Sequence, residues 1–363
     1  MKRKTRVGIL TGGGDCPGLN AVIRAVAKKL MIENNTEIIG IKDGYEGLIR
    51  NYYKRLDYAD VSGILTLGGT ILGTSNIANP YRQAVKVKGK TVLRDVSKKV
   101  IQNIKRMKLD SIVCIGGDGT LTIASSLCKD GIPVVGVPKT IDNDIRGTDV
   151  TFGFDTAVAI ATEGIDRVHT TAQSHHRVMI VEVMGRTAGW IALHAGIAGG
   201  GDIILIPEIP FEIDKIASVI RQRHKRGSRF SIIVVAEGAK PKGGKVVIKR
   251  MVQESTIAER LGGIGMVLGR QLEEQTGLET RTVIMGHLLR GGSPTSTDRI
   301  LATRLGISAA EFVIKKKFGM MVGVNGSSIS AVALKEVAKG PKLIKADNQL
   351  VNAARCVGTS FGD

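Results

Sequence analysis

Short, mostly apolar runs of four to seven residues alternate along the chain with longer stretches in which apolar residues recur every three or four positions. The first pattern predicts buried strands and the second predicts helices packed against them. Strands are expected at 6–11, 37–41, 111–115, 133–137, 177–183, 202–206, 230–236 and 282–285. Helices are expected at about 21–32, 100–107, 121–129, 155–171, 190–198, 213–226 and 256–276, with another from about 296. Residues 80–95 are polar and basic and read as a surface excursion, 240–247 as a Lys/Gly hairpin, and the stretch from about 319 as strands and a short helix. Repeated strand–helix units predict an α/β protein with mostly parallel sheets covered on both faces. The units are too many for one sheet, so two doubly wound lobes facing each other across a cleft are expected. The expected division puts 1–145 with part of 255–310 in one lobe, and 146–254 with 311–363 in the other; no Pro/Ser-rich linker marks the boundary.

Several of the strands end in loops rich in glycine or charge. The run at 133–137 spills into Pro138-Lys139-Thr140-Ile141-Asp142-Asn143-Asp144, and the run at 111–115 into Gly116-Gly117-Asp118-Gly119-Thr120. The first strand ends in a glycine turn at 12–14 and leads into a helix, an arrangement that aims backbone N–H groups at a phosphate. Its spacing is neither a P-loop nor a G-x-G-x-x-G. Gly116 and Gly117 suit a close approach of backbone to ligand, and Asp118 then serves either a divalent cation or the start of the next helix. Asp142 and Asp144, two apart, fall on one side of an extended loop. Such a pair supplies what phosphoryl transfer to an alcohol needs: a base and a second carboxylate to orient it or hold metal. Met184-Gly185-Arg186, Glu237 and the stretch from His287 to Arg290 also sit at strand ends; the cations suit phosphate and Glu237 suits sugar hydroxyls.

Composition narrows this picture. At 363 residues the chain can build a large core and two lobes of ordinary size. Its 46 glycines keep no fixed period, which excludes a fibre and leaves turns and close approaches. No apolar run approaches the roughly 20 residues that span a bilayer. The basic start at 1–6 runs straight into a strand too short for a signal-peptide core, so a cytoplasmic protein with no membrane partner is expected. Cys16, Cys114, Cys128 and Cys356 form no C-x-x-C pair, and the six histidines have no i,i+4 spacing. Neither a disulfide framework nor a zinc site is expected; Cys114 and Cys128 suit small buried hydrophobes. The formal charge of +19 admits either nucleic acid or small polyanions as partners. Because the positive residues are spread along the chain with few aromatics between them, and the glycine loops point to phosphate, small polyanions are expected and nucleic acid is not.

The motifs together resemble the phosphofructokinase family of bacterial type over nearly the whole chain. They are GGGDCPGLN at 12–20, GGDGT at 116–120, PKTIDND at 138–144, MGR at 184–186, AEG at 236–238 and GHLLRGG at 286–292. The resemblance implies two Rossmann-like lobes with the active site between them, and phosphoryl transfer from Mg-ATP to the 1-hydroxyl of fructose 6-phosphate. It implies that Gly14, Tyr45, Gly117, Gly119, Thr120 and Lys139 bind the donor and that Asp118 binds Mg²⁺. It further implies Asp142 as base with Asp144 beside it, and Thr140 and Arg186 stabilising the transferring phosphoryl group. Met184, Gly185, Glu237, His287 and Arg290 would hold the sugar phosphate. Arg177 and Arg281 match arginines that reach a neighbouring subunit's sugar site, which implies a homo-oligomer, a tetramer or a dimer. Arg24, Lys28 and Asp202 fall where some relatives bind a nucleotide effector between subunits. Gly119 with Lys139 is a mixed pair. Pyrophosphate-using relatives carry Asp with Lys at these places, and common ATP-using ones carry Gly with Gly. Gly119 leaves room for an α-phosphate and favours ATP, whereas Lys139 would welcome pyrophosphate. Asn76 stands where many relatives carry an arginine. A pyrophosphate-dependent enzyme and a catalytically silent sensor are the alternatives, and the joint presence of Asp118, Asp142, Asp144 and Arg186 argues against silence.

Overall fold

The structure is a computed structural model that describes residues 3–87, 90–251 and 259–363. Its first half is built from β1 (Arg6–Gly12), α1 (Leu19–Asn34), β2 (Glu37–Ile41), α2 (Tyr45–Arg50), β3 (Tyr53–Leu56), β4 (Gln83–Val87), β5 (Lys90–Arg94), α3 (Ser97–Arg106), β6 (Ser111–Gly116), α4 (Asp118–Lys129) and β7 (Val134–Pro138). Then come α5 (Phe154–His175), β8 (Val178–Val183), α6 (Trp190–Ala198), β9 (Ile203–Leu205), α7 (Ile213–Lys225), β10 (Ser231–Ala236), β11 (Ile248–Met251), β12 (Glu259–Leu261), α8 (Ile264–Thr276) and β13 (Thr280–Ile284). After a 3₁₀ turn (Gly286–Arg290) the chain closes with α9 (Ser296–Ile314), β14 (Met320–Asn325), β15 (Ser328–Ala333), α10 (Leu334–Val337) and α11 (Gln349–Cys356).

Seven strands in the order β15-β14-β7-β6-β1-β2-β3 form the larger sheet, with only its two edge strands antiparallel. The smaller sheet, β13-β8-β10-β9, is wholly parallel. Successive strand residues point to opposite faces, and each face found a helix layer. Ile9, Val113 and Val135 share a core with α1 and α9, while Leu10, Ile112, Cys114 and Val134 share another with α3 and α4. In the smaller sheet Ile180 and Val235 pack with α7 and α8. Val181 and Val234 pack with α5 and α6 in the same continuous core as Val135, so one apolar interior joins the lobes. Each such side chain contributes roughly 1.5–3 kcal/mol by leaving water. A one-residue register slip would turn a whole set outward, so the pairing is firmly specified.

Several expectations need correction. Residues 320–333, expected with the second lobe, hydrogen-bond into the larger sheet beside β7. There they extend the sheet past β7, and Met321 and Leu334 join the α4 core. The helix expected from residue 256 begins only at Ile264; 256–258 lie outside the described residues and Glu259–Leu261 is a strand. Gly262 and Gly263 stop it, with φ of +132° and +91°, values that carry no helix. Residues 240–247 form no ladder of their own; Lys242 N–H donates to Phe211 and Gly244 N–H to Pro241. Within the basic excursion at 80–95, which stays at the surface as expected, β4 and β5 pair antiparallel.

Candidate active site

Parallel pairing puts the carboxyl ends of β1, β6 and β7 side by side. Gly12 lies opposite Gly116, and Gly116 opposite Pro138, so the three loops beyond them start at one level. Strands about 4.8 Å apart make the loops immediate neighbours. Glycine at 116 is required by packing: a Cβ there would lie 2.3 Å from Cβ of Thr120. In the smaller sheet Ala236 pairs with Val183 and Ile284 with Glu182, which brings Met184, Glu237 and the 3₁₀ turn to a second common edge. The two edges meet where Arg290 Nη1 donates to the Asp15 carbonyl at 3.1 Å. Gly14 lies under that guanidinium, because a Cβ on it would fall 2.5 Å from Nη1.

The loop after β7 is internally braced. Thr140 Oγ1 accepts from the Asp142 N–H at 3.1 Å, and the Thr140 carbonyl accepts from Thr151 Oγ1 at 2.7 Å. Asn143, between the two carboxylates, is buried and left-handed with φ +51°, a conformation asparagine tolerates better than most residues. The turn leaves Asp142 Oδ1 buried with no hydrogen-bond partner. Burial raises the Asp142 carboxyl above its ordinary range, opposed by the nearby charges of Arg290 and Lys139. Asp144 is pushed up to about 7 by burial first, then by Asp142 and Asp118. Glu237 likewise rises to about 7 through burial, with Asp142 and Glu182 adding to it.

Lys139 is buried, and its ammonium donates to the Gly14 carbonyl. Burial lowers its pKa, and the Arg290 charge lowers it further. Asp118 is the first residue of α4 and is exposed, with Oδ1 accepting from the Gly119 N–H at 2.6 Å. The cap position belongs to Gly117, which contributes no side-chain hydrogen bond. One exposed carboxylate beside these glycine loops fits a divalent metal ion whose other ligands are oxygens of a bound molecule and water. Among the described residues no group of three or more acidic, His or Cys side chains forms a self-sufficient metal cage. Gly119 faces open space, with nothing within 4 Å of a Cβ built on it. The loop at 73–76, which includes Asn76, is zipped to the first glycine turn: Thr74 Oγ1 donates to the Gly13 carbonyl and Gly13 N–H to Ser75.

Most of the expected residues gather at these two edges; Tyr45 departs, and Arg177 and Arg281, expected at a neighbouring subunit's site, lie away from this cleft. Tyr45 is buried, and its hydroxyl donates to the Thr120 carbonyl at 2.7 Å. It braces the start of α4 from below and presents no surface to a donor. Arg177 and Arg281 lie at the amino end of the smaller sheet, roughly 20 Å of strand away from the cleft edge. Both are held there by Glu279, Arg177 at 2.7 Å. Arg186, Met184 and Gly185 do reach the cleft. Arg186 acts on Glu237 and lines a cavity of about 330 Å³ with Thr187, Glu208 and Lys240. His287 is exposed on the 3₁₀ turn. Of the residues expected at an effector site, Asp202 is ion-paired to Arg223 at 2.8 Å, and Lys28 lies 4.0 Å over the Tyr58 ring.

The sequence pattern missed supporting groups. Glu182, a lone charge inside β8, accepts from the Gly263 and Gly265 N–H groups at 2.8 Å each and anchors the start of α8. That interruption of an apolar strand was a visible signal. Lys342 and Glu208, which hold the 143–151 segment and the start of α6, carry no pattern at all.

Glycine loops at one sheet edge, a buried carboxylate with an open oxygen and cations beside it fit a two-lobed α/β phosphotransferase. Comparison with known proteins sharpens the class. The family model described as Phosphofructokinase matches residues 6–313. The chain is 50% identical over 368 residues to the ATP-dependent 6-phosphofructokinase 2 of Clostridium perfringens, covering 100% of both chains. It is 49% identical to the pyrophosphate–fructose 6-phosphate 1-phosphotransferase of Amycolatopsis methanolica, over 93% of this chain and 96% of that one. The crystal structure of Pichia pastoris phosphofructokinase in the T-state superposes with a TM-score of 0.80 at 30% identity. That match covers 99% of this chain, which spans 37% of the Pichia pastoris chain. The chain belongs to the phosphofructokinase family.

Proposed function

We propose that the protein is an ATP-dependent 6-phosphofructokinase, transferring the γ-phosphoryl group of ATP to the 1-hydroxyl of fructose 6-phosphate. The observation that carries this reading is Asp142: a buried carboxylate whose Oδ1 has no partner, set among Lys139, Arg290 and Asp118. Its raised proton affinity suits a base that must take a proton from an alcohol. The Asp118 charge adds to that affinity, and Asp144, itself pushed up to about 7, stands beside the base. Arg186 and Thr140 donate to the phosphoryl oxygens in flight, and Arg290, with His287, takes the 6-phosphate. Glu237 accepts from the sugar hydroxyls. Asp118 would hold Mg²⁺, which neutralises the donor's phosphates when bound.

The donor assignment rests on Gly119 and Lys139. Gly119 opens onto free space for an α-phosphate, and the Lys139 ammonium is already committed to the Gly14 carbonyl. A pyrophosphate-dependent enzyme is the second reading, supported by the charge of Lys139. Self-association as a tetramer or dimer is supported by the edge strand β13. Beside Arg281 it leaves Val283 and Ile284 exposed, with Met266, Val267 and Leu288 exposed on the adjoining α8 and 3₁₀ turn. A neighbour seated there would receive Arg177 and Arg281. No helix among the described residues is long and apolar enough to cross a membrane, and a cytoplasmic location is part of the proposal. An aldolase-coupled assay with fructose 6-phosphate, run with Mg-ATP and with pyrophosphate, tests it. Turnover with ATP is expected, turnover with pyrophosphate alone would favour the second reading, and none with either would reject both.

A further inference from the structure

The segment at 341–344 lies across the junction of the lobes, and nothing in its sequence marks it. Lys342 N–H donates to the Asp144 carbonyl at 2.7 Å, and the Lys342 carbonyl accepts from Trp190 Nε1 at 2.9 Å. Ile344 N–H donates at 3.0 Å to Glu208, which also receives the Gly189 N–H at the start of α6. The strap thus ties the acidic loop after β7 to the helix after β8. The Lys342 ammonium then reaches back into the loop. It donates to Thr148 O at 2.9 Å, to Asp149 O at 2.8 Å and to Asn143 Oδ1 at 3.2 Å, with the Trp190 ring at 5.3 Å on its other side.

We propose that Lys342 is a positioning residue for Asp142, acting through the left-handed turn at Asn143. Asn143 stands between Asp142 and Asp144 in a left-handed conformation, one that persists where the surrounding structure over-determines it. Two donors fix its side chain, the Thr151 N–H at 3.1 Å and the Lys342 ammonium. The direction of the Asp142 carboxylate is set by that turn, since Asp142 Oδ1 has no hydrogen bond of its own to hold it. Without the ammonium, two backbone carbonyls and one side of the Asn143 amide lose their donor. The turn then relaxes, and the carboxylate moves off the line of the acceptor hydroxyl. A misplacement of about 1 Å is enough to cost on the order of 100-fold in rate.

The inference rests on the function proposed above, so its test has an arm that needs no catalysis. Lys342→Met should lower kcat about 10- to 100-fold and leave both KM values within about 3-fold, the pattern of lost orientation. Deuterium exchange should quicken in 140–151 and stay unchanged in β1 and β6. Asn143→Gly keeps the turn accessible and removes the shared acceptor. It should cost a similar factor, and the double variant should be no worse than either single one, because both break one linkage. Unchanged kcat in Lys342→Met would overturn the proposal. So would exchange that quickens throughout the chain with a matching loss of stability, which marks a merely structural residue. If the wild type transfers no phosphoryl group, the proposed function fails. The positioning role then stands or falls on whether exchange in 140–151 responds locally.

Discussion

Replacing Asp142 with asparagine keeps the side chain's shape and removes its ability to take a proton. A lost general base costs about 10²–10⁴ in turnover. At 1.36 kcal/mol per decade that is about 2.7–5.4 kcal/mol of transition-state stabilisation. The structure also gives the cost to folding. Asp142 Oδ1 makes no hydrogen bond, so an amide at that position breaks none. Lys139 keeps the Gly14 carbonyl and Arg290 keeps the Asp15 carbonyl, so neither cation is stranded. Burial holds the folded-state carboxyl above its ordinary range, so the ionised form opposes folding at neutral pH and a neutral isostere relieves that opposition. Asp142→Asn should therefore lose turnover in the aldolase-coupled assay by at least about 100-fold, with Tm no lower than the wild type. Calorimetric affinity for fructose 6-phosphate should stay within a few-fold. Near-normal turnover would refute the base assignment, and a joint collapse of Tm and activity would refute the claim that the carboxylate is structurally idle.

Three further outcomes come from the same geometry. Gly119→Asp meets no atom within 4 Å and adds an acid to the first turn of α4, which the helix dipole favours. Tm should hold while kcat/KM for ATP falls at least about 10-fold against pyrophosphate, the repulsion of an α-phosphate; equal losses with both donors would refute the steric account. In Gly14→Ala the new methyl displaces the mobile end of Arg290. KM for fructose 6-phosphate should rise about 10-fold, the worth of a weakened charge-assisted bond, with kcat and Tm little changed; an unaltered KM would remove Arg290 from the phosphate site. Asp144 has a folded-state value of about 7 against an unfolded value of about 3.9. Its protonated form therefore lends stability that is complete below about pH 4 and lost as pH rises through about 7. The stability of Asp144→Asn over wild type should grow across that window in denaturant titrations, and a flat difference would contradict it.

The sequence alone determined the class of fold and most of the chemistry. Apolar runs of strand length, each ending in glycine or charge, are local signals, and so the loops at 12–14, 116–120, 138–144 and 184–186 could be read one by one. Parallel pairing then had to collect them, because every carboxyl end of such a sheet lies on one edge. What lay beyond the sequence was long-range. That Tyr45 is a buried brace depends on α4 closing over it, and that 320–333 joins the larger sheet depends on a pairing across nearly 200 residues. Arg177 and Arg281 are strand-start residues, so the same pairing rule that gathers the loops sends them to the far edge. Lys342 shows the limit most clearly: Gly340-Pro341-Lys342 carries no periodicity and no motif, yet its ammonium reaches the turn between Asp142 and Asp144. A hydrogen bond between residues 199 apart leaves no mark in either local sequence; only the folded chain brings the donor to its acceptor.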